Sequence, residues 1–168
     1  MKHLQDILYE GILDINDNIK KGPDFKGVIK KFLKDNYKGA STCKIRKDLN
    51  PDGKYIVDST SNMEVKNRNI DSLTNGLFVF GEIKYNFWCT YCNSLTSLEG
   101  APEKIGGSFS CHNCNSLTSL EGAPKEVRGD FSCHNCDSLT SLEGAPKEVG
   151  GNFNYYGCSS LTLLKHGN

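Results

Sequence analysis

A ten-residue string recurs in this chain at a fixed interval of 22 residues. Asn93-Ser94-Leu95-Thr96-Ser97-Leu98-Glu99-Gly100-Ala101-Pro102 returns from Asn115 and, with Asp first, from Asp137. A decayed copy starts at Asp71 and another at Ser159. One copy is too short to bury its own apolar face, so the copies must stack and close each other's core. About five stacked rungs at ~4.8 Å spacing make a rod about 24 Å long.

Stacking turns the repeat into columns. Two are leucine: Leu73, Leu95, Leu117, Leu139, Leu161, and then Leu98, Leu120, Leu142, Leu164, with Gly76 in the first copy. A third is Ile83, Ile105, Val127, Val149, and a fourth is Phe87, Phe109, Phe131, Phe153, with Val65 one period earlier. Two more are Cys89, Cys111, Cys133, Tyr155 and Cys92, Cys114, Cys136, Cys158, with Ile70 one period before Cys92. Phe-x-Cys alternates at period two, as a strand with one buried face does. Gly106-Gly107 before it and Gly-Ala-Pro after Leu120 are turn signals.

Phe109-x-Cys111-x-x-Cys114-x-x-Leu117-x-x-Leu120 resembles a leucine-rich repeat. Phe109 and Cys111 match the strand leucines, Cys114 the Asn/Cys ladder position, and Leu117 and Leu120 the following leucines. The spacing departs from that pattern: Leu117 comes three residues after the ladder position rather than two, and Ile105 four before Phe109 rather than three. The Cys-rich Leu-Thr-Ser-Leu-Glu-Gly-Ala-Pro copies also look similar to repeats in Bacteroides-type bacteria and their phages. The resemblance covers roughly residues 62–168 and implies an α+β chain whose main body is a short parallel solenoid.

Residues 1–60 read as an N-terminal helical and hairpin cap, and 61–168 as the solenoid. Leu4, Ile7, Leu8 and Ile12 form a stripe at helical spacing. Gly22-Pro23-Asp24 breaks the chain and starts a second helix with Phe25, Val28, Ile29, Phe32 and Leu33 on its apolar side. Thr42–Arg46 and Tyr55–Asp58, flanking Asn50-Pro51-Asp52-Gly53, read as a hairpin. Such a cap hides the first rung's open edge; the other reading is a helix that docks on a partner or an assembly. At the far end Leu161 and Leu164 fill their columns and the sequence stops at Asn168, so an uncovered edge is expected to pair with a second copy.

Lys and Arg balance Asp and Glu at 20 each, which gives no global attraction to nucleic acid or an anionic membrane. The first 20 residues are too polar for a signal peptide. Eight cysteines without such a signal point to a reducing cytoplasm and free thiols.

Cys-x-x-Cys pairs stand within the spacing range of paired zinc motifs, and Cys111, Cys114, Cys133 and Cys136 alone would make such a set. The columns weigh against it. Tyr155 replaces the first Cys, as does Asn67 one period before Cys89, while Ile70 replaces the second. Zinc needs complete thiolate sets, whereas a packing column accepts any suitable apolar group. A buried thiol ladder is the expectation, with zinc and a redox dithiol as alternatives. His112 and His134 fall side by side on neighbouring rungs and read as exposed surface rather than a metal site.

No phosphate-binding loop appears, and Glu99, Glu121 and Glu143 read as a solvated row. The expectation is a protein-binding module without enzymatic activity or cofactor. Its outward columns are Asn86, Ser108, Asp130, Asn152, then Trp88, Ser110, Ser132, Asn154, then Thr90, His112, His134, Tyr156. Among these Trp88, Thr90, Ser110, His112, Asp130, Ser132, His134, Asn154 and Tyr156 form the candidate binding set. Trp88 stands equally for packing under the cap. By analogy with the phage and Bacteroides repeats, the partner is expected to be a host or competitor protein; the alternatives are a virion-associated component docking through its N-terminal helices, or a zinc-stabilised protein.

Overall fold

The structure is a computed structural model that describes residues 24–47 and 54–162. The first predicted helical stripe, the Asn50–Gly53 turn and Leu164 lie outside the described residues.

Asp24 starts helix α1 (Phe25–Asn36): its carboxylate accepts from the Gly27 amide at 3.0 Å, satisfying one of the free first-turn donors. Ile29 and Leu33 point into the core, and Phe32 packs edge-on against Phe78 at 6.0 Å. The chain then leaves the helix as β1 (Tyr37–Lys38), turns through Ala40–Thr42, and forms the expected hairpin from β2 (Cys43–Lys47) and β3 (Tyr55–Ser59). No helix among the described residues is long and apolar enough to cross a membrane.

The body is a parallel β-solenoid with two sheets. Sheet A holds β4 (Met63–Val65), β6 (Phe87–Trp88), β8 (Phe109–Ser110), β10 (Phe131–Ser132) and β12 (Phe153–Asn154), all parallel. Sheet B holds β3, β5 (Phe78–Ile83), β7 (Lys104–Ile105), β9 (Glu126–Val127) and β11 (Glu148–Val149), also parallel. β1 pairs with β4 and β2 with β3, both antiparallel, so each sheet's N-terminal edge is closed by a strand running against the stack. Sheet B is a feature the sequence columns left as a row of Ile and Val. A strand only two residues long shows too little alternation to be read from pattern.

Between the sheets the columns form one core. Phe87, Phe109 and Phe131 stack almost parallel, with centroids 5.7 and 5.3 Å apart, and Tyr37 and Phe80 continue the ring contacts toward α1. The Tyr37 hydroxyl, fully buried, donates to the Leu73 carbonyl at 2.5 Å. Leu95, Leu98, Leu117, Leu120 and Leu139 are sealed between the sheets.

One assignment needs correction. Met63, not Val65, pairs with Phe87, which puts Val65 rather than Asn67 in line with Cys89. The segment from Met63 to Ile70 is two residues longer than the segment from Phe87 to Cys92. The period counted back from Leu73 and Ile70 cannot see an insertion lying on the strand side of them. The corrected column is Val65, Cys89, Cys111, Cys133, which is apolar throughout.

The thiols have a defined structural use. Cys114 Sγ donates to the Cys89 carbonyl at 2.9 Å, Cys136 to Cys111 at 3.2 Å, and Cys158 to Cys133 at 3.1 Å. From Cys114 onward each second-position thiol thus satisfies a carbonyl of the preceding rung, whereas Cys92 donates to the Thr90 carbonyl of its own rung at 3.6 Å. Burial pushes the Cys89 and Cys133 thiols well up from their ordinary range, which keeps them from being thiolate nucleophiles or ligands at neutral pH. Among the described residues no group of three or more His, Cys, Asp or Glu is arranged to hold a metal ion.

This ladder makes a differential prediction. Cys111→Ala and Cys114→Ala remove the same atoms from the same rung, but only the second orphans a buried carbonyl. Cys114→Ala is expected to cost about 1 kcal/mol more in urea unfolding; equal losses would refute the ladder's role.

Candidate functional site

The outward face of sheet A is ordered by strand register. Lys38, Glu64, Trp88, Ser110, Ser132 and Asn154 stand in one row, each paired with the next. Two residues further along lie Thr90, His112, His134 and Tyr156, where Tyr91, Asn113 and Asn135 amides donate to the His112, His134 and Tyr156 carbonyls at 3.0, 3.1 and 2.9 Å.

The imidazoles meet as the column predicts. The His112 and His134 rings stack at 4.5 Å with 13° between their planes. Ser110 Oγ lies 2.7 Å from His112 Nδ1, and Ser132 Oγ lies 2.7 Å from His134 Nδ1. Each serine therefore fixes the orientation of the ring two residues on. Burial, with His134 and Arg68 beside it, holds His112 below the ordinary histidine value, so its ring is neutral at neutral pH.

Next to this stack sits Tyr91, edge-on to His112 at 5.4 Å and 53% exposed. Its backbone is left-handed, with φ +58°. The equivalent positions in later rungs are Asn113, Asn135 and Gly157, all left-handed too. Asparagine and glycine are the residues that tolerate this conformation; tyrosine pays a strain cost there. The Arg68 guanidinium covers the Tyr91 ring at 5.9 Å, donates to the Thr90 carbonyl, and pairs with Glu64 at 3.1 Å. Glu64 also takes Lys38 at 3.0 Å. Arg68 lies in the two-residue expansion of the first rung, which is what brings it over the tyrosine.

Sequence reasoning missed both Tyr91 and Arg68. Tyr91 was legible as the odd member of a column of Asn, Asn and Gly. Arg68 was not, because it belongs to the inserted pair.

The chain matches no family model, no curated protein and no solved structure. The surface must therefore be judged on its own geometry.

The nine candidate residues separate into distinct roles. His112, His134 and Ser132 form the stack with Ser110 beneath it, since Ser110 is only 8% exposed. Thr90 is equally covered, held by Arg68. Trp88 is half-buried between Glu64 and Ser110. Tyr156 extends the imidazole row and is 83% exposed. Asn154 turns its side-chain oxygen back to the Tyr156 amide at 3.0 Å.

Asp130 belongs to a second ladder instead. Asn62, Asn86, Ser108 and Asp130 each accept, through a side-chain oxygen, the amide of the next rung's equivalent residue: Asn86, Ser108, Asp130 and Asn152, at 3.1, 2.7, 3.0 and 2.7 Å. These side chains link rungs, and their variety reflects that any short acceptor suffices.

Sheet B carries a broad open groove of about 1340 Å³ over β5 and β7. Its charges are mixed, and Lys104 pairs with Glu126 at 2.6 Å across neighbouring rungs. With both signs interleaved, the groove has no single-sign field to select a charged ligand.

Proposed function

We propose that this chain is a protein-recognition module that binds through the outward face of sheet A, centred on Tyr91, His112, His134 and Trp88. The observation that carries this reading is Tyr91: an exposed aromatic ring kept at a backbone position that favours asparagine or glycine. Strain at an exposed side chain with no core role is a mark of use rather than of stability. Aromatic and arginine side chains on such a face are the groups that dominate protein interfaces.

The repeat's resemblance to leucine-rich repeats and to Bacteroides and phage repeat proteins extends the proposal. On that analogy the chain acts in the cytoplasm as a binder and inhibitor of a host protein such as a defence factor. A second reading, docking of the N-terminal helices onto an assembly, draws on Phe25 and Val28, which α1 leaves 38% exposed each. The homodimer expectation involves Leu164, outside the described residues.

The test is affinity capture from the native host with Tyr91→Asn against the unchanged chain. Relief of the left-handed strain gains about 1 kcal/mol, offset by about 0.5 kcal/mol of lost cation–π contact, so stability should hold or rise slightly. Binding should fall by at least about 2 kcal/mol, the scale of an interface hot spot. Retained capture by Tyr91→Asn, with loss in Phe25→Ser/Val28→Ser, would transfer the function to the helix.

A further inference from the structure

We infer that the groove on sheet B is a strand-addition site: it takes a short extended segment of a partner protein, hydrogen-bonded through its backbone to the free edge of β5. This surface lies on the other sheet from the face proposed above, so either reading can fail without the other.

The free edge exists because the first rung is longer than the copies stacked on it. Gly100 packs against Thr74, which stands nine residues before Ile83. Gly122 packs against Glu99, which stands only six before Ile105. The extra residues run as strand. β5 covers Phe78–Ile83, but β7 pairs only with Glu82 and Ile83. Phe78, Val79 and Phe80 pair with Tyr55, Ile56 and Val57 of β3 on one side. On their other side the second rung has no strand to offer. Gly100, at φ +86°, and the Ala101 amide, which returns to the Leu98 carbonyl at 2.9 Å, make a turn there. Pro102 stands three residues before Ile105, as Phe80 does before Ile83, and it has no N–H to give.

The register says which groups face the gap. In sheet B the core-facing residues turn their carbonyls to the following rung. Ser59 accepts from Lys84 and Ile105 from Arg128 at 3.0 Å, and Ile83 from Gly106 and Val127 from Gly150 at 2.8 Å. An extended residue points its own N–H and C=O to the same side. Phe78 and Phe80 also face the core, so their amides and carbonyls point into the groove. Among the described residues no backbone hydrogen bond joins either of them to the second rung. Such an edge is a template for one more strand.

The groove has room for that strand, with a volume of about 1340 Å³ between β5 and the wall of Gly100, Ala101 and Glu103. A helix cannot fill the role, because its backbone groups are spent on its own turns. Three unpaired residues make an edge about 10 Å long. That is far less than the roughly 800 Å² per partner of a stable folded interface, so the occupant is a linear segment rather than a second copy. The mixed charges of the rim leave selection to the backbone and to the inward side chains. Those would meet Phe80 and Ala101, which suits small apolar residues at alternate positions.

The probe is a displayed library of random seven-residue peptides, selected on the full chain. Enriched sequences should alternate apolar with polar residues and lack central prolines. N-methylation of the amides on one alternate set should weaken binding on the order of tenfold per lost bond, while the intervening set tolerates it. Ala101→Trp, which fills the groove, should abolish binding. Because that variant could disturb the rung, the unchanged chain supplies a second readout: hydrogen exchange at the Phe78 and Phe80 amides should slow when peptide is added. Peptides indifferent to every N-methylation, slowing confined to sheet A, or no enrichment at all would overturn the site. So would protection of these two amides in the free chain, which gives the edge to a segment of the chain itself. Protection that appears only on raising protein concentration would give it to a second copy and overturn the partner segment equally.

Discussion

Replacing Phe109 with alanine is expected to cost about 4 kcal/mol of folding free energy, the upper range for a buried aromatic. Phe109 has no exposed surface and lies between Phe87 and Phe131, stacked at 9° and 12° to them. Removing it opens a void that neither neighbour can fill, because each ring is held in its own rung by backbone bonds to the next. Cys89 and Cys111 amides, for instance, donate to the Ser110 and Ser132 carbonyls at 2.9 Å. A small domain is stable by only about 5–15 kcal/mol, so a loss of this size endangers the fold. Phe153 occupies the same column in the last described rung but is partly exposed and turned 89° to Phe131. Phe153→Ala should therefore cost much less, about 1–2 kcal/mol. Urea melts of the two variants test this, and similar losses at both sites would mean that the column is not a graded core.

The second large effect belongs to Gly122. Its φ is +81°, and a Cβ there would sit 2.6 Å from the Leu98 carbonyl carbon and from Glu99 Cα, both backbone atoms of the preceding rung. The rungs cannot separate to make room, since the Leu98 and Leu120 amides donate to the Glu121 and Glu143 carbonyls at 3.0 and 2.9 Å. Gly122→Ala combines a left-handed penalty of about 1–2 kcal/mol with overpacking of about 1–3 kcal/mol. Gly76 provides the control. It has φ +69° but nothing within 4 Å of its Cβ position, so Gly76→Ala should cost only the conformational part. A thermal melt in which Gly76→Ala and Gly122→Ala fall equally would show that rung-to-rung backbone contact is not what excludes a side chain.

The core was legible because it is periodic. Leu95, Leu117 and Leu139, or Phe87, Phe109 and Phe131, announce a buried column without any knowledge of the path between them. The helix start at Asp24 and the hairpin of β2 and β3 were legible from local chemistry. What failed was whatever the period does not carry. The two extra residues before Ile70 shift Met63 and Val65 onto columns that counting assigned to Val65 and Asn67. Two-residue strands such as Lys104–Ile105 hold too few side chains to show an alternation. On the face of sheet A, strict alternation named Thr90 and Ser110 as surface, yet Arg68 and His112 cover them. The histidine pair came from the columns; Ser110 and Ser132 were named as members of the binding face but not as partners of the rings, because a hydrogen bond between residues two apart depends on rotamers that the sequence does not state.

The two antiparallel strands at the N-terminal end give the rod a direction in its history as well as its shape. β1 and β2 close that end with chain that is not part of the repeat, so a duplicated 22-residue unit inserted among the later copies would leave the helix, its closure and the first rung untouched. Copy number can then change while Arg68 and Tyr91 keep their distance from the closed end. Rod length becomes adjustable, and Arg68 and Tyr91 stay in the first rungs, outside the near-identical copies.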